Sequence, residues 1–249
     1  MKDLQKLLTI ARKASVAAST EILKIYESGD FSIEAKADNS PLTKADKAAH
    51  EIIMDFLEET DIPILSEEGS HLPYEIRKHW EYVWIVDPLD GTKEFIKRNG
   101  EFTVNIALIK NGVPIVGVLE APVLRKQYYG IEGEGAFLNG IQLSSLKPID
   151  MKKKGLKVVA SRSHLNQETK EFLDSLNQPH VVSMGSSLKF MIIAEKKADI
   201  YPRFAPTMEW DTAAAHAILN SLNGKVVDCN NQPLIYNKKN LLNPFFKVH

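Results

Sequence analysis

The run Trp84-Ile85-Val86-Asp87-Pro88-Leu89-Asp90-Gly91-Thr92 sets two carboxylates beside a glycine and a hydroxyl. Tyr82 to Val86 is aromatic and β-branched enough to form a buried strand, and Pro88 has no N–H to continue a ladder, so the strand is expected to end near Asp87. Both acids then crowd its carboxyl end. Ionised carboxylates that close repel unless cations neutralise them, and hard divalent ions prefer oxygen donors, which makes Mg²⁺ the expected ion. Gly91 lets the backbone approach a ligand, and Thr92 is placed to cap a following helix whose free N–H groups and dipole favour a phosphate. A metal site next to a phosphate cradle is the equipment of a metal-dependent phosphatase. A bare Asp-Gly between hydrophobic runs is ordinarily a turn, and it is the whole run that raises the chemical reading above the bland one.

The elements that must position these residues follow from periodicity. Leu4, Leu7, Leu8, Ala11, Ala14, Ala18, Ile22 and Ile25 recur at helical spacing before Gly29 and predict a long amphipathic helix. After a turn-rich segment at 36–41, Thr43 is expected to cap a second helix reaching about Glu59, with Asp46 in its first turn and Ala49, Ile52, Ile53, Phe56 and Leu57 on its apolar face. Pro63-Ile64-Leu65 predicts a short strand leading into Ser66-Glu67-Glu68-Gly69. Thr103 to Ile109 and Val113 to Leu119 predict a hairpin turning at Asn111-Gly112. Gly130, Gly133 and Gly135 lack the spacing of a nucleotide-binding glycine loop and fit a hairpin or bulge. Lys147 to Gly155, with Pro148 and a lysine run, reads as a boundary. Beyond it, strands at Leu156 to Ala160 and Val181-Val182 mix with helices at Thr169 to Leu176, Ser187 to Lys196 and Thr212 to Leu222. The mixture predicts an α+β fold, a layered α/β sandwich and not a doubly wound parallel sheet.

Composition narrows the partners. The chain has 249 residues, 44% of them hydrophobic, enough for one large core or two halves sharing a cleft. Lys plus Arg number 31 against 32 Asp plus Glu, for a net charge of −1, so nothing draws the chain to nucleic acid polymers or anionic membranes. Cys229 is the only cysteine, which excludes an intrachain disulfide, argues against a cysteine zinc site and fits a reducing cytoplasm; a buried place is expected for it. Met1 to Tyr26 alternates charges with apolar residues, unlike a signal peptide, and no run is long enough to span a bilayer. A cytoplasmic location, free or peripheral to a membrane, is the expectation.

Three segments together, Ser66-Glu67-Glu68, Asp87 to Thr92, and Trp210-Asp211-Thr212-Ala213-Ala214, resemble in order and spacing the metal-site motifs of the inositol monophosphatase superfamily, which also contains the fructose-1,6-bisphosphatase type of sandwich. Lys93 to Ala107, Gly185-Ser186-Ser187-Leu188-Lys189 and Tyr201-Pro202-Arg203-Phe204 resemble its bacterial 3′(2′),5′-bisphosphate nucleotidases. That resemblance implies a lithium-sensitive enzyme, using two or three Mg²⁺ ions, that removes the 3′-phosphate from adenosine 3′,5′-bisphosphate, a by-product of sulfate activation and sulfotransfer. It implies metal ligation by Glu67, Asp87, the carbonyl of Leu89, Asp90 and Asp211, with Glu68 behind them. Asp46 and Thr92, aided by Glu67, resemble the pair that activates the attacking water. Ser186, Lys189, Arg203 and His164 match positions that contact the nucleotide, with Gly91 and Thr92 at the phosphate. The organisation implied is an N-terminal subdomain, 1–150, holding most metal ligands, and a C-terminal one, 151–249, holding the recognition residues and Asp211. Each residue has a blander reading alone: a solvated Glu-Glu pair, a helix-capping Asp211, a dipole-favoured Asp46, exposed cations at 189 and 203. Their joint occurrence decides. The alternatives are an inositol monophosphatase or broad sugar phosphatase, and a non-catalytic nucleotide or metal sensor that would not need Asp46 with Thr92.

Overall fold

The computed structural model describes residues 3–35, 41–160 and 165–249; the expected turn at 36–40 lies outside them, as does His164. The chain opens with α1 (Leu4–Ser28), capped by the Asp3 carboxylate on Lys6 N and closed by Gly29 at φ 73°. The short hairpin β1 (Glu34–Ala35) and β2 (Pro41–Leu42) leads to α2 (Lys44–Glu58), with Thr43 as its cap. Next come β3 (Ile64–Ser66), α3 (Tyr74–Arg77), β4 (Tyr82–Asp90) and α4 (Thr92–Ile96). The meander β5 (Thr103–Lys110), β6 (Val113–Ala121), β7 (Lys126–Ile131), β8 (Gly135–Leu138) and β9 (Ile141–Gln142) follows. The remainder is β10 (Lys157–Val159), α5 (Gln167–Asp174), β11 (His180–Val182), α6 (Leu188–Ala194), β12 (Tyr201–Arg203), α7 (Glu209–Asn220), β13 (Val226–Asp228) and β14 (Phe246–Val248). No helix among the described residues is long and apolar enough to cross a membrane.

β3 to β9 form one sheet in sequence order, parallel only between β3 and β4. Side chains alternate along β4 and β5, and both faces are covered. Trp84, Val86, Ile106 and Leu108 pack on α1 and α2, while Val83, Ile85, Ala107 and Ile109 share the core of α6 and α7. This is the layered α+β arrangement the sequence predicts. The expected boundary near 150 falls in a stretch without helix or strand, yet the core under α7 contains residues from both sides of it.

Two local expectations fail. β4 does not end at Asp87 but runs to Asp90, because a bulge between the pairs Asp87–Asn105 and Asp90–Thr103 absorbs Pro88, whose missing N–H costs nothing where the ladder is interrupted. Cys229 is exposed, not buried: it follows β13 in a surface turn held by Asp228 Oδ1, which accepts from Asn230 N at 2.8 Å and Gln232 N at 2.9 Å.

α7 reaches the sheet over glycine. A β-carbon on Gly117 of β6 would lie 2.2 Å from Ala214 O and 2.9 Å from Ala217 Cβ. Gly117→Ala therefore forces the helix outward, and overpacking of this kind costs about 1–3 kcal/mol. At about 2–4 °C per kcal/mol for a chain of this size, the melting temperature should fall by roughly 2–12 °C. Because α7 carries Asp211, activity should fall as well; an alanine variant with wild-type melting and turnover would show that the contact relaxes freely.

Candidate metal centre and active site

Three acids converge at the carboxyl ends of β3 and β4. Ser66 pairs with Val86 in parallel register, and Glu67 N donates to Val86 O at 3.1 Å, so the next residues, Glu67 and Asp87, emerge side by side. Asp87 shares the parity of Val83 and Ile85 and hence faces α7, whose first turn brings Asp211. Glu67, Asp87 and Asp211 each offer an oxygen, all within 4.8 Å of one another. Asp211 is not the cap of α7; the helix begins earlier, and Asp211 Oδ2 accepts from Met208 N at 2.9 Å, which orients the carboxylate.

Electrostatics tests whether a cation fits. Burial, ahead of the charges of Glu67, Asp90, Asp211 and Asp46, pushes the Asp87 carboxyl well above the usual carboxylate range. Asp211 is raised for the same reason, burial first and Asp90 next. Acids this crowded are stable as ions only with positive charge among them, and an all-oxygen donor set suits a hard divalent ion.

Asp90 sits at the end of the bulge and is held from the C-terminal half. Its Oδ2 accepts from Ser187 N at 2.6 Å and Ser186 Oγ at 2.5 Å, with Ser187 Oγ at 2.7 Å. Ser187 Oγ is also 2.6 Å from Asp211 O and accepts from Asn105 Nδ2 at 3.0 Å, so one hydroxyl bridges the Asp90 and Asp211 elements. Reasoning from sequence singled out neither Ser187 nor Asn105 as a site residue. The available signal was Asn105 itself, an amide set among the apolar residues Val104 and Ile106 to Ile109, which proves buried and paired in register with Asp87.

Asp46 performs two jobs with two oxygens. Oδ2 accepts from Thr43 N at 2.7 Å and Thr43 Oγ1 at 2.5 Å, completing the capping box of α2; Oδ1 accepts from Thr92 Oγ1 at 3.1 Å. Burial is the main reason its pKa is raised, against the pull of the Thr43 bonds and with a contribution from the charge of Glu68. Thr92 does not cap α4, as its sequence position suggests; Gly91 is the cap residue, and the Thr92 hydroxyl, committed to Asp46, also lies 3.4 Å from the carbonyl of Leu89. The Leu89 side chain is buried under α1 and α2, and its N–H donates to Asp87 Oδ1 at 3.1 Å. Gly91 has φ 94°, and a β-carbon there would meet Glu101 O and Ser186 Cβ, both at 3.2 Å, so its smallness serves the packing of these segments.

Lys189 lies close enough to Asp90, and Arg203 to Asp211, for their charges to interact. Burial lowers the Lys189 pKa, while Asp90 pulls it up and Arg203 pushes it down. Lys189 Nζ donates to Ser186 O at 3.2 Å and Arg203 Nη2 to Pro206 O at 3.2 Å; among the described residues Arg203 Nε is buried without a partner. Among the described residues neither cation is neutralised by a salt bridge, which leaves paired positive charge beside the acids.

The inositol monophosphatase family model matches residues 3–245, and the chain belongs to this family. It is 46% identical to the 3′(2′),5′-bisphosphate nucleotidase CysQ of Escherichia coli strain K12, over 98% of each chain. The crystal structure of CysQ from Bacteroides thetaiotaomicron is similar at a TM-score of 0.86, with 47% identity over 99% of this chain and 97% of that one. The inositol monophosphatase from Anabaena (Nostoc) sp. PCC 7120 is more distant, at a TM-score of 0.75 and 26% identity over 100% and 91%.

Proposed function

We propose that this chain is a Mg²⁺-dependent 3′(2′),5′-bisphosphate nucleotidase that hydrolyses the 3′-phosphate of adenosine 3′,5′-bisphosphate to AMP and phosphate. The observation that carries this reading is the meeting of an all-carboxylate cluster with two nearby cations, Lys189 and Arg203, that no salt bridge to a described residue neutralises. Glu67, Asp87, Asp90, Asp211 and the Leu89 carbonyl would hold two or three Mg²⁺ ions. Bound there, such ions neutralise charge on the phosphoryl oxygens and lower the pKa of an attacking water. Thr92 Oγ1 takes the proton of that water and passes its own to Asp46 Oδ1, 3.1 Å away. The water oxygen bonds to phosphorus as the P–O3′ bond breaks, and the departing O3′ takes a proton from solvent. Asp46 is suited to accept because its buried carboxyl already binds a proton more readily than an exposed one. Lys189 and Arg203 are assigned to the second phosphate, Lys as a compact charge and Arg as a fork.

Lys189→Ala and Arg203→Ala should each lower kcat/KM for adenosine 3′,5′-bisphosphate by roughly 10- to 150-fold, the worth of one hydrogen bond to a charged group at about 1.5–3 kcal/mol. Inositol 1-phosphate, lacking a second phosphate, should lose little. Steady-state kinetics on both substrates decides the matter. Equal losses would assign these cations to the shared site, and a wild-type preference for inositol 1-phosphate would make the chain an inositol monophosphatase.

A further inference from the structure

The end of β3 is tied on two sides by histidines that the proposed reaction does not use. Ser66, the residue before Glu67, is 3% exposed. Its Oγ lies 2.9 Å from His50 Nδ1, and its carbonyl accepts from His71 Nε2 at 2.8 Å as well as from Gly69 N at 3.1 Å. His50 follows Asp46 by one helical turn on α2, so the first bond joins the helix of Asp46 to the strand end that presents Glu67. The His71 ring lies 5.4 Å from that of Trp210, the neighbour of Asp211, so the second contact joins the same strand end to the first turn of α7.

Among the described residues β3 is a three-residue edge strand paired with β4 alone, and Glu67 follows its last residue. A groove of about 550 Å³, lined by His50, Met54, Ile64, Ser66 and Gly69 among others, borders this strand. Polar ties must supply the lateral restraint that a neighbouring strand would otherwise give.

We propose that His50 and His71 are positioning residues that fix Glu67 relative to Asp46 and Asp211 through the two polar groups of Ser66. The proposal rests on the metal-centre reading above. Partners that orient a ligand from behind typically change metal affinity by about 10- to 100-fold when removed. His50→Ala, Ser66→Ala and His71→Ala should therefore each weaken binding of Mn²⁺ at least tenfold, by calorimetric titration without substrate, while metal-free melting stays close to wild type. The double variant His50→Ala/Ser66→Ala should lose no more than the weaker-binding of its two single variants, because both break one bond. His71 is exposed, so its removal leaves the core intact; His71→Phe, which keeps a ring against Trp210 but cannot bond Ser66, separates the two contacts and should still bind weakly. Asp87→Asn is the reference. If it loses Mn²⁺ while the histidine and serine variants bind like wild type, or if the double variant's losses add, the positioning role is refuted and the metal centre stands. If Asp87→Asn itself binds like wild type, the metal centre falls and the proposal with it.

Discussion

Asp211→Asn and Asp90→Asn should each reduce Mg²⁺-dependent phosphate release by about 10³-fold or more and leave the protein folded. Charge stabilisation by a bound ion is worth several kcal/mol, and about 1.36 kcal/mol is a factor of ten in rate. The two variants keep their structural bonds. An amide preserves one acceptor oxygen, so the side chain at 211 can still accept from Met208 N and the side chain at 90 from Ser187 N. Stability is expected to hold or rise in the metal-free protein. The pKa of Asp211 is raised by burial and by Asp90, which means its ionised form is disfavoured in the fold, and an uncharged isostere relieves that repulsion. Phosphate release as a function of Mg²⁺, beside thermal melting in a chelator, reads both. Near wild-type turnover at low Mg²⁺ would remove the residue from the centre, and a collapsed melt would make its role structural.

Thr92→Val should lower kcat by about 10²- to 10⁴-fold, the usual range for a positioned proton acceptor, with KM little changed. The reason is geometric. Thr92 Oγ1 donates to Asp46 Oδ1, an oxygen the capping box does not use, so the hydroxyl can be lost without uncapping α2. Thr92→Ser restores a hydroxyl at the same carbon and should recover most of the rate. Measuring kcat and KM separately on all three proteins checks the assignment: an effect confined to KM would make Thr92 a binding group, and an inactive serine variant would point to the threonine methyl and its packing.

Much of this molecule was legible in the chain because the relevant forces are local. Thr43 with Asp46 marks a helix start through its own backbone bonds, Gly29 marks an end through its left-handed φ, and Asn111-Gly112 turns a hairpin between apolar runs. The apolar, β-branched run from Tyr82 to Val86 announces a buried strand, and the mixture of helices with hairpin strands predicts a layered sandwich. The crowding of Asp87 and Asp90 was read from the run itself, whereas Glu67 and Asp211 joined them only through the resemblance to the family's motifs. What separation along the chain hides is which oxygens meet. The parallel register of β3 on β4 sets Glu67 beside Asp87, a glycine contact lets α7 bring Asp211 over the sheet, and Ser187 reaches Asp90 from ninety-seven positions away. The bulge at Pro88 and the turn that exposes Cys229 were decided the same way. Local sequence sets the conformation of a segment, whereas the partner of a polar side chain is settled by distances that exist only once the layers have packed.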